Sequence, residues 1–97
     1  KKALERANLS INDIDIVEIN EAFASQSIAC LKDLGIDQKK ANLDGGALAL
    51  GHPLGATGAR ITGKAADLLR RENKKYALST QCIGLGMGIA TIIESVN

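Results

Sequence analysis

The stretch GGALALGHPLGATGAR, from Gly45 to Arg60, joins a glycine-rich loop to the start of a predicted helix. It contains five glycines, its only charged residue is Arg60, and it holds His52, the only histidine of the chain. A polar ring without a local ionic partner is costly to enclose unless something hydrogen-bonds to it. His52 is therefore a candidate site residue, and the alternative is a structural histidine that bonds two loop carbonyls.

C-terminal to this stretch, apolar residues at helical spacing predict a helix that begins near Gly55 to Gly58 and ends in the charged run Arg70 to Lys75. The predicted apolar side of this helix consists of Ile61, Ala65, Leu68 and Leu69. Two β-rich runs follow, Tyr76–Gln81 and Met87–Glu94, and the glycine-rich segment between them indicates an antiparallel hairpin.

The N-terminal half has clearer boundaries. Residues 1–8 are typical of the end of an amphipathic helix, and the chain starts with Lys rather than Met, so we expect a preceding segment. Ser10 and Asp13 match a capping signal for one short turn. Residues 14–19 alternate apolar and acidic side chains, which predicts a strand.

A second helix is predicted to follow this strand directly. Asn20 is a plausible N-cap, Glu21 is well placed for the positive end of the helix dipole, and Gly35 is a suitable C-terminal stop. Its predicted apolar face carries Phe23, Ser27, Cys30, Leu31 and Leu34. Residues 36–54 show little periodicity, and we expect a long loop with at most a short strand. The sequence thus predicts one small α/β unit.

Composition excludes several classes of function. A chain of 97 residues forms one domain at most, and 12 basic against 11 acidic residues, interspersed along the chain, argue against a nucleic-acid site. Two cysteines far apart and one histidine are too few ligands for a zinc site. Because the sequence contains no apolar run of membrane length and no leader, we expect no membrane role and an intracellular, reducing setting.

Three polar residues are predicted at the ends of elements: Asn20, His52 and Cys82. In α/β sheets such positions tend to share one crevice, so the three side chains could form one site. Each has an alternative, which for Asn20 is a helix cap and for Cys82 a small buried apolar residue. Glycines after Cys82 leave backbone N–H groups uncovered beside the thiol, and these can stabilise the oxyanion of acyl chemistry.

A histidine in such a loop can take the proton of a thiol, while a mostly protonated cysteine suits an acid/base role. Two other motifs are rejected. The segment GARITGK, Gly58–Lys64, has phosphate-loop spacing, but Ala65 stands where a magnesium-binding Ser or Thr is required and the segment lies within a predicted helix. Cys30 shares an apolar helix face, which indicates a packing role.

Three blocks together resemble the signature motifs of the C-terminal domain of thiolases. They are NEAFA at Asn20–Ala24, GGALALGHPLGATGAR at Gly45–Arg60 and CIGLGMG at Cys82–Gly88, in the family's order and at similar spacing. The resemblance extends over essentially all 97 residues. It implies the C-terminal half-domain of the thiolase α/β fold, a small mixed sheet that ends in an antiparallel hairpin, with helices packed on it.

The resemblance also implies roles for individual residues. His52 would activate a nucleophilic cysteine and help to bind the thioester oxygen, and Asn20 would hold a water in that first oxyanion hole. Cys82 would move a proton to or from the α-carbon of acetyl-CoA, and Gly84 would lend its N–H to a second oxyanion hole. The resemblance places two further residues at the substrate, Phe23 at the acyl pocket and Gly51 beside His52.

By resemblance the activity is acyl transfer between coenzyme A thioesters, with acyl-CoA and CoA as substrates and neither resident cofactor nor metal. The thiolytic cleavage of 3-ketoacyl-CoA and the reverse Claisen condensation are both open, and the Leu and Met of CIGLGMG favour the degradative enzymes. A homodimer or homotetramer is expected, in the cytoplasm or an organelle matrix.

The nucleophilic cysteine of the family's N-terminal domain has no match in these 97 residues. We therefore expect this piece to be catalytically inactive alone. The alternative is a non-catalytic folding or dimerisation module of a split or truncated thiolase-like protein.

Overall fold

The computed structural model describes residues 1–96 as a three-stranded sheet with helices on both of its faces. The helices are α1 (Lys2–Ala7), α2 (Ala24–Leu34), α3 (Ala47–Leu50) and α4 (Thr57–Arg71), and the strands are β1 (Ile16–Ile19), β2 (Tyr76–Gly84) and β3 (Met87–Glu94). Short 3-10 turns cover Ile11–Asp13 and Gln38–Lys40. No helix among these residues has the length and apolarity needed to cross a membrane.

The sheet has the strand order β1-β2-β3, with β1 parallel to β2 and β2 antiparallel to β3. The predicted small mixed sheet that ends in an antiparallel hairpin is therefore confirmed. The β2 strand runs further than predicted, through Cys82 to Gly84, and the turn consists of Leu85 and Gly86 alone. Both turn residues have positive φ, 54° and 72°, as a type I′ hairpin turn requires.

Two apolar clusters form the core, one on each face of the sheet. On one face Ile16 and Ala77 pack against α4 through its Ala65, Leu68 and Leu69. The opposite face lies on the side of α2, and its buried residues are Ile14, Val17, Ile19 and Leu78. The four predicted apolar positions of α4 are all buried, as helical spacing requires of a face packed on a sheet.

The start of α2 differs from the prediction. The helix begins at Ala24 with Phe23 at the N-cap position, so Asn20 does not cap it. Asn20 instead continues the sheet, because its N–H donates to the carbonyl oxygen of Thr80 at 3.0 Å. Phe23 was predicted on the buried face of this helix but is 71% exposed, since it precedes the first helical turn. The predicted stop at Gly35, which has φ 69°, is confirmed.

The segment 36–54 was predicted as a long loop, which is wrong in part. It contains the 3-10 turn, α3 and a single parallel bridge between Val17 and Ala41. Asn42 extends this bridge with its side chain: Oδ1 accepts from the N–H of Ile19 and Nδ2 donates to the Ile19 carbonyl, both at 2.9 Å. The Asn42 amide thus takes the place of a backbone unit on the free edge of β1. These contacts are not periodic in sequence, so hydrophobic spacing could not indicate them.

Candidate active site

The carboxyl ends of β1 and β2 bring Asn20 and Cys82 to the same end of the sheet. Ile19 is in register with Thr80, so Asn20 follows one parallel strand where Cys82 continues its neighbour. Cys82 lies opposite Gly88 of β3 and is exposed. Cys82 was predicted at the entry to a turn but lies within β2, where a register shift follows between Cys82 and Gly84.

His52 reaches this end of the sheet through α4. The Gly58 backbone faces the Gln81 side chain so closely that a Cβ at position 58 would lie 3.1 Å from Nε2 of Gln81. Thr57, next to Gly58, is completely buried and holds the ring of His52, with 2.6 Å between His52 Nδ1 and Thr57 Oγ1. The His52 ring is therefore hydrogen-bonded to the N-terminus of α4, which lies next to Gln81, the residue before Cys82.

The hydrogen bonds of Thr57 determine which ring nitrogen of His52 carries the proton. The Thr57 hydroxyl has one hydrogen, which it donates to the carbonyl oxygen of Pro53 at 3.1 Å. When the hydroxyl donates to Pro53 it can only accept from His52, and Nδ1 of His52 then carries the ring proton. The second nitrogen, Nε2, is left with a free lone pair on an exposed ring. This is the tautomer that a general base in a loop requires.

A second connection runs from Asn20 to the His52 loop. Glu21 accepts a hydrogen bond from the N–H of Leu48, in the first turn of α3, with 3.2 Å between N and Oε1. Its carboxylate lies over Gly46, where a Cβ would overlap both Glu21 and the Asn42 amide. A negative group at this helix N-terminus is favourable. Glu21 was predicted to serve α2 in this way and serves α3 instead.

Backbone geometry requires glycine at two positions of the candidate site, one in the His52 loop and one at the end of β2. Gly51 ends α3 with φ 85° and redirects the chain into His52, and Gly84 has φ 101° at the end of β2. Only glycine adopts such conformations without strain. Gly51 and Gly84 are both exposed, as are Phe23 and Cys82.

The loop is also attached to the far end of α4. Arg71 donates two hydrogen bonds to the carboxylate of Asp44, at 2.7 and 2.8 Å, and Lys64 donates a third at 3.0 Å. The Arg71 and Lys64 hydrogen bonds hold the pKa of Asp44 well below its usual range. Asp44 immediately precedes the glycine-rich stretch, so this charged contact holds the start of the loop against α4. The sequence contained no periodic signal for it.

Beneath the exposed residues lies a buried polar group that sequence analysis did not single out. Glu18 is 0% exposed and Asn20 is 1% exposed. Burial raises the pKa of Glu18 to about 7, an effect that the positive charges of Arg60 and then Lys64 oppose. The alternation of apolar and acidic residues in 14–19 predicted a half-buried strand, but every residue of β1 is buried, because α4 and α2 cover both faces.

The residues of the site do not enclose a cavity by themselves. Within residues 1–96, no hydrogen bond joins the side chains of Asn20, His52 and Cys82 to one another, and His52 and Cys82 both face outward. A groove of about 780 Å³ lies elsewhere, along α1, α2 and β3. The structure gathers the three segments at one end of the sheet and leaves that end open.

Comparison with known proteins identifies the family to which this fold belongs. Residues 1–95 match the family model described as "Thiolase, C-terminal domain". The chain therefore belongs to the thiolase family and represents its C-terminal domain.

The chain is 57% identical over 97 residues to the 3-ketoacyl-CoA thiolase of Vibrio vulnificus (strain YJ016), covering 97% of this chain and 25% of that protein. It is 54% identical over 99 residues to the 3-ketoacyl-CoA thiolase of Shewanella frigidimarina, covering 99% of this chain and 26% of that protein. The chain thus spans about a quarter of the length of these relatives.

Solved structures agree with this assignment. The crystal structure of human mitochondrial 3-ketoacyl-CoA thiolase is similar with a TM-score of 0.96 and 52% sequence identity, covering 99% of this chain and 24% of that chain. The same protein in complex with CoA gives the same values. The resemblance inferred from three sequence blocks is confirmed at the level of family and fold.

Proposed function

We propose that this chain supplies the proton-transfer and oxyanion-binding part of a 3-ketoacyl-CoA thiolase, which cleaves 3-ketoacyl-CoA with coenzyme A. The observation that carries the proposal is the hydrogen bond between His52 Nδ1 and the buried Thr57, in which we assign Nδ1 as the donor. It leaves Nε2 as a free base on an exposed face, where a thiol from outside the chain can reach it.

In the first half of the reaction, Nε2 of His52 takes the proton of a cysteine thiol supplied by the remainder of the enzyme. The thiolate attacks the 3-keto carbon, the bond between the α- and β-carbons breaks, and the α-carbon receives a proton from Cys82. Acetyl-CoA leaves and the shortened acyl group remains on the cysteine. Cys82, now a thiolate, takes the proton of the coenzyme A thiol, and the coenzyme A sulfur attacks this thioester. The bond between the cysteine sulfur and the acyl carbon breaks, the cysteine takes back the proton held by His52, and the shortened acyl-CoA leaves.

Negative charge develops on two oxygens along this path and requires donors. We propose that His52, with a water held by Asn20, serves the thioester oxygen, and that the N–H of Gly84 serves the second oxygen. The positive φ of Gly84 and the absence of a side chain there support a close approach of substrate. Phe23 and Gly51 remain proposals for the substrate-facing surface, supported by their exposure beside Glu21 and His52.

The direct test is a hybrid enzyme. In it these 97 residues replace the matching segment of the Vibrio vulnificus thiolase, to which they are 57% identical. We expect CoA-dependent cleavage of acetoacetyl-CoA by the hybrid and none by the 97-residue chain alone, which lacks the nucleophile of this proposal. An inactive hybrid that folds and binds CoA would contradict the proposed function. Activity of the 97-residue chain alone would contradict the need for a second part.

The two cysteines offer a matched pair of variants. Cys82→Ser should lower kcat/KM of the hybrid by a factor of about 10² to 10⁴, because proton transfer to the α-carbon is lost, and His52→Ala should cost a similar factor. Cys30→Ser makes the same change of atom on α2, where Cys30 is half-buried, and should leave kcat/KM within about twofold. Equal activity of the two serine variants would remove Cys82 from the mechanism.

A second candidate function is a non-catalytic folding or dimerisation module. The exposed apolar residues of the hairpin, which include Ile83, Met87 and Ile89, favour a covered interface. Edge strand β3 offers unpaired backbone groups to a partner. Sedimentation of the 97-residue chain separates the two possibilities: pairing supports an assembly role and the expected homo-oligomer, whereas a compact monomer argues against both.

A further inference from the structure

Three side chains on one face of the sheet contain six buried polar atoms that lack a hydrogen-bond partner within residues 1–96. These atoms are both carboxylate oxygens of Glu18, both amide atoms of Asn20, and Nε and Nη2 of Arg60. Unpartnered buried polar atoms are rare in folded proteins. Six such atoms without any hydrogen bond would lower the free energy of unfolding of a small domain by a large share of its total.

The three side chains lie on the same side of the sheet. Ile16 packs against α4, whereas Val17 and Ile19 belong to the cluster on the opposite face. Alternation along β1 therefore directs Glu18 toward α4, and the ladder hydrogen bond of Asn20 extends the same alternation by one more residue. Arg60 lies in the first turns of α4, the helix that covers this face, and its charge acts on Glu18.

Glu18 and Arg60 have opposite charges but make no direct ion pair: the carboxylate has no nitrogen of Arg60 within hydrogen-bond distance. A carboxylate, a guanidinium and an amide with buried, unpartnered atoms on one face of the sheet offer the two to four polar partners that an internal water needs. The donors and acceptors are also complementary, because Arg60 can only donate, Glu18 as an anion can only accept, and Asn20 does both.

We propose that Glu18, Arg60 and Asn20 enclose a buried hydration site whose ordered water bridges the three side chains, and that Glu18 and Arg60 position the Asn20 amide for catalysis through this water. The ligand of the site is water, and Glu18 and Arg60 are positioning residues. The proposal rests on the proposed function for its catalytic part only. The hydration site itself is a property of the fold.

The amide of Asn20 needs such support because its own strand gives it none. Its backbone N–H is held by Thr80, but both side-chain atoms are without a partner and the amide could rotate by 180° at little cost. An amide that must hold a water for an oxyanion has to present the correct atom. A bridging water that connects the other amide atom to Glu18 or Arg60 selects one orientation.

The first experiment is a high-resolution crystal structure of the hybrid enzyme described above. We expect at least one ordered water that lies within hydrogen-bond distance of Glu18 and also of Asn20, of Arg60 or of both. A direct contact between the Glu18 carboxylate and the Arg60 guanidinium with no water between them would overturn the hydration site. This result does not depend on activity, so an inactive hybrid would refute the proposed function and leave the hydration site to be decided by the water positions.

The second experiment measures steady-state kinetics of Glu18→Gln in the hybrid, with Glu5→Gln on the exposed surface of α1 as the matched control. Misplacement of a catalytic group by about 1 Å can cost up to about a hundredfold, so we expect kcat to fall by about ten- to a hundredfold. KM for CoA should stay within about twofold, since Glu18 does not reach the surface. Identical kcat values for the two glutamine variants would overturn the positioning role.

A third variant covers the case in which Glu18→Gln does not fold. When a buried carboxylate and a guanidinium are both replaced by apolar residues, no uncompensated charge is left behind, so the double variant Glu18→Leu, Arg60→Met should fold. It removes two of the three partners of the water, and we expect the same ten- to hundredfold loss of kcat, no larger than that of Arg60→Met alone. A folded double variant with the kcat of the unsubstituted hybrid would overturn the proposal.

Discussion

The α4 face of the sheet and the hairpin tip differ in how completely they bury their apolar and polar side chains. On the α4 face even Glu18 is inaccessible to water from outside, whereas at the hairpin tip Leu85 is 97% exposed. Apolar residues concentrated at one exposed end are typical of a surface that another protein segment covers. The face built on β1 and α4, here called the buried wall, is therefore covered by this chain itself. The hairpin tip is left uncovered and is available to another protein segment.

The largest effect that tests this difference is on stability. Replacing Leu68, a completely buried residue of α4, by Ala should lower the free energy of unfolding by about 2 to 5 kcal/mol, because a cavity remains. The same number of side-chain carbons is removed by Ile89→Ala on β3, where the residue is 52% exposed, and less than about 1 kcal/mol should be lost. Urea unfolding of the 97-residue chain, followed by circular dichroism, measures both. Equal losses would mean that the hairpin is as well packed as the α4 face.

The sequence predicted both of these regions, but it did not predict the contacts that tie the 36–54 segment to them. The apolar positions of α4, the hairpin and the stop at Gly35 were correct, because each depends on local periodicity or on one turn residue. The Asn42 amide on β1 and the Asp44 contact with Arg71 join residues more than 20 positions apart, and no local pattern indicates them. The same holds for the site. Asn20, His52 and Cys82 were predicted from their residue types, whereas the roles of Thr57 and Glu18 depend on contacts that the sequence does not indicate.

The role of Asn20 shows why helix capping was the wrong expectation. Asn is a good N-cap wherever a helix begins, and the sequence does not show how far a strand continues before that. In the fold the ladder with β2 extends to Asn20, and α2 starts only at Ala24. Sheet pairing, which involves distant residues, overrode a local preference. The outcome places the Asn20 side chain on a buried face instead of at a helix end.

The next effect is a pH dependence confined to the buried wall. Burial raises the pKa of Glu18 from 4.5 to about 7, against the positive charges of Arg60 and Lys64 and with small contributions from Asp44 and Glu21. A raised pKa means that the folded chain binds the proton more tightly. The stabilisation by protonated Glu18 is complete below pH 4.5 and is lost as the pH rises to 7, by up to roughly 3 kcal/mol.

Glu18→Gln should abolish this dependence, because glutamine does not titrate. Urea unfolding at pH 5, 6, 7 and 8 should show a decline for the unsubstituted chain that is absent from Glu18→Gln and present in Glu5→Gln. Water in the proposed hydration site would solvate the carboxylate and make the decline shallower. Parallel pH curves for all three chains would show that Glu18 does not titrate between pH 4.5 and 7 as a buried group should.

A smaller effect tests the connection between the buried wall and the exposed histidine. Thr57→Val keeps the shape of the side chain but removes the acceptor for His52 Nδ1, so the ring can rotate or change tautomer. In the hybrid we expect kcat/KM to fall by about ten- to a hundredfold. Thr57→Ser retains the hydroxyl and should restore most of the activity. Loss in both variants would indicate a packing role for the Thr57 methyl group instead of control of the tautomer.

The smallest effect concerns the exposed tip and should have the opposite sign. Leu85 occupies a left-handed conformation, with φ 54°, in a two-residue turn where Asn is strongly preferred, and its side chain makes almost no use of burial here. Leu85→Asn should therefore raise the unfolding free energy of the 97-residue chain by about 0.5 to 1 kcal/mol. In the hybrid the gain should shrink or reverse, because a covering surface would bury the leucine. An equal gain in both proteins would show that the tip remains open to solvent in the hybrid. This result would contradict the covering segment inferred from the exposed apolar residues of the tip.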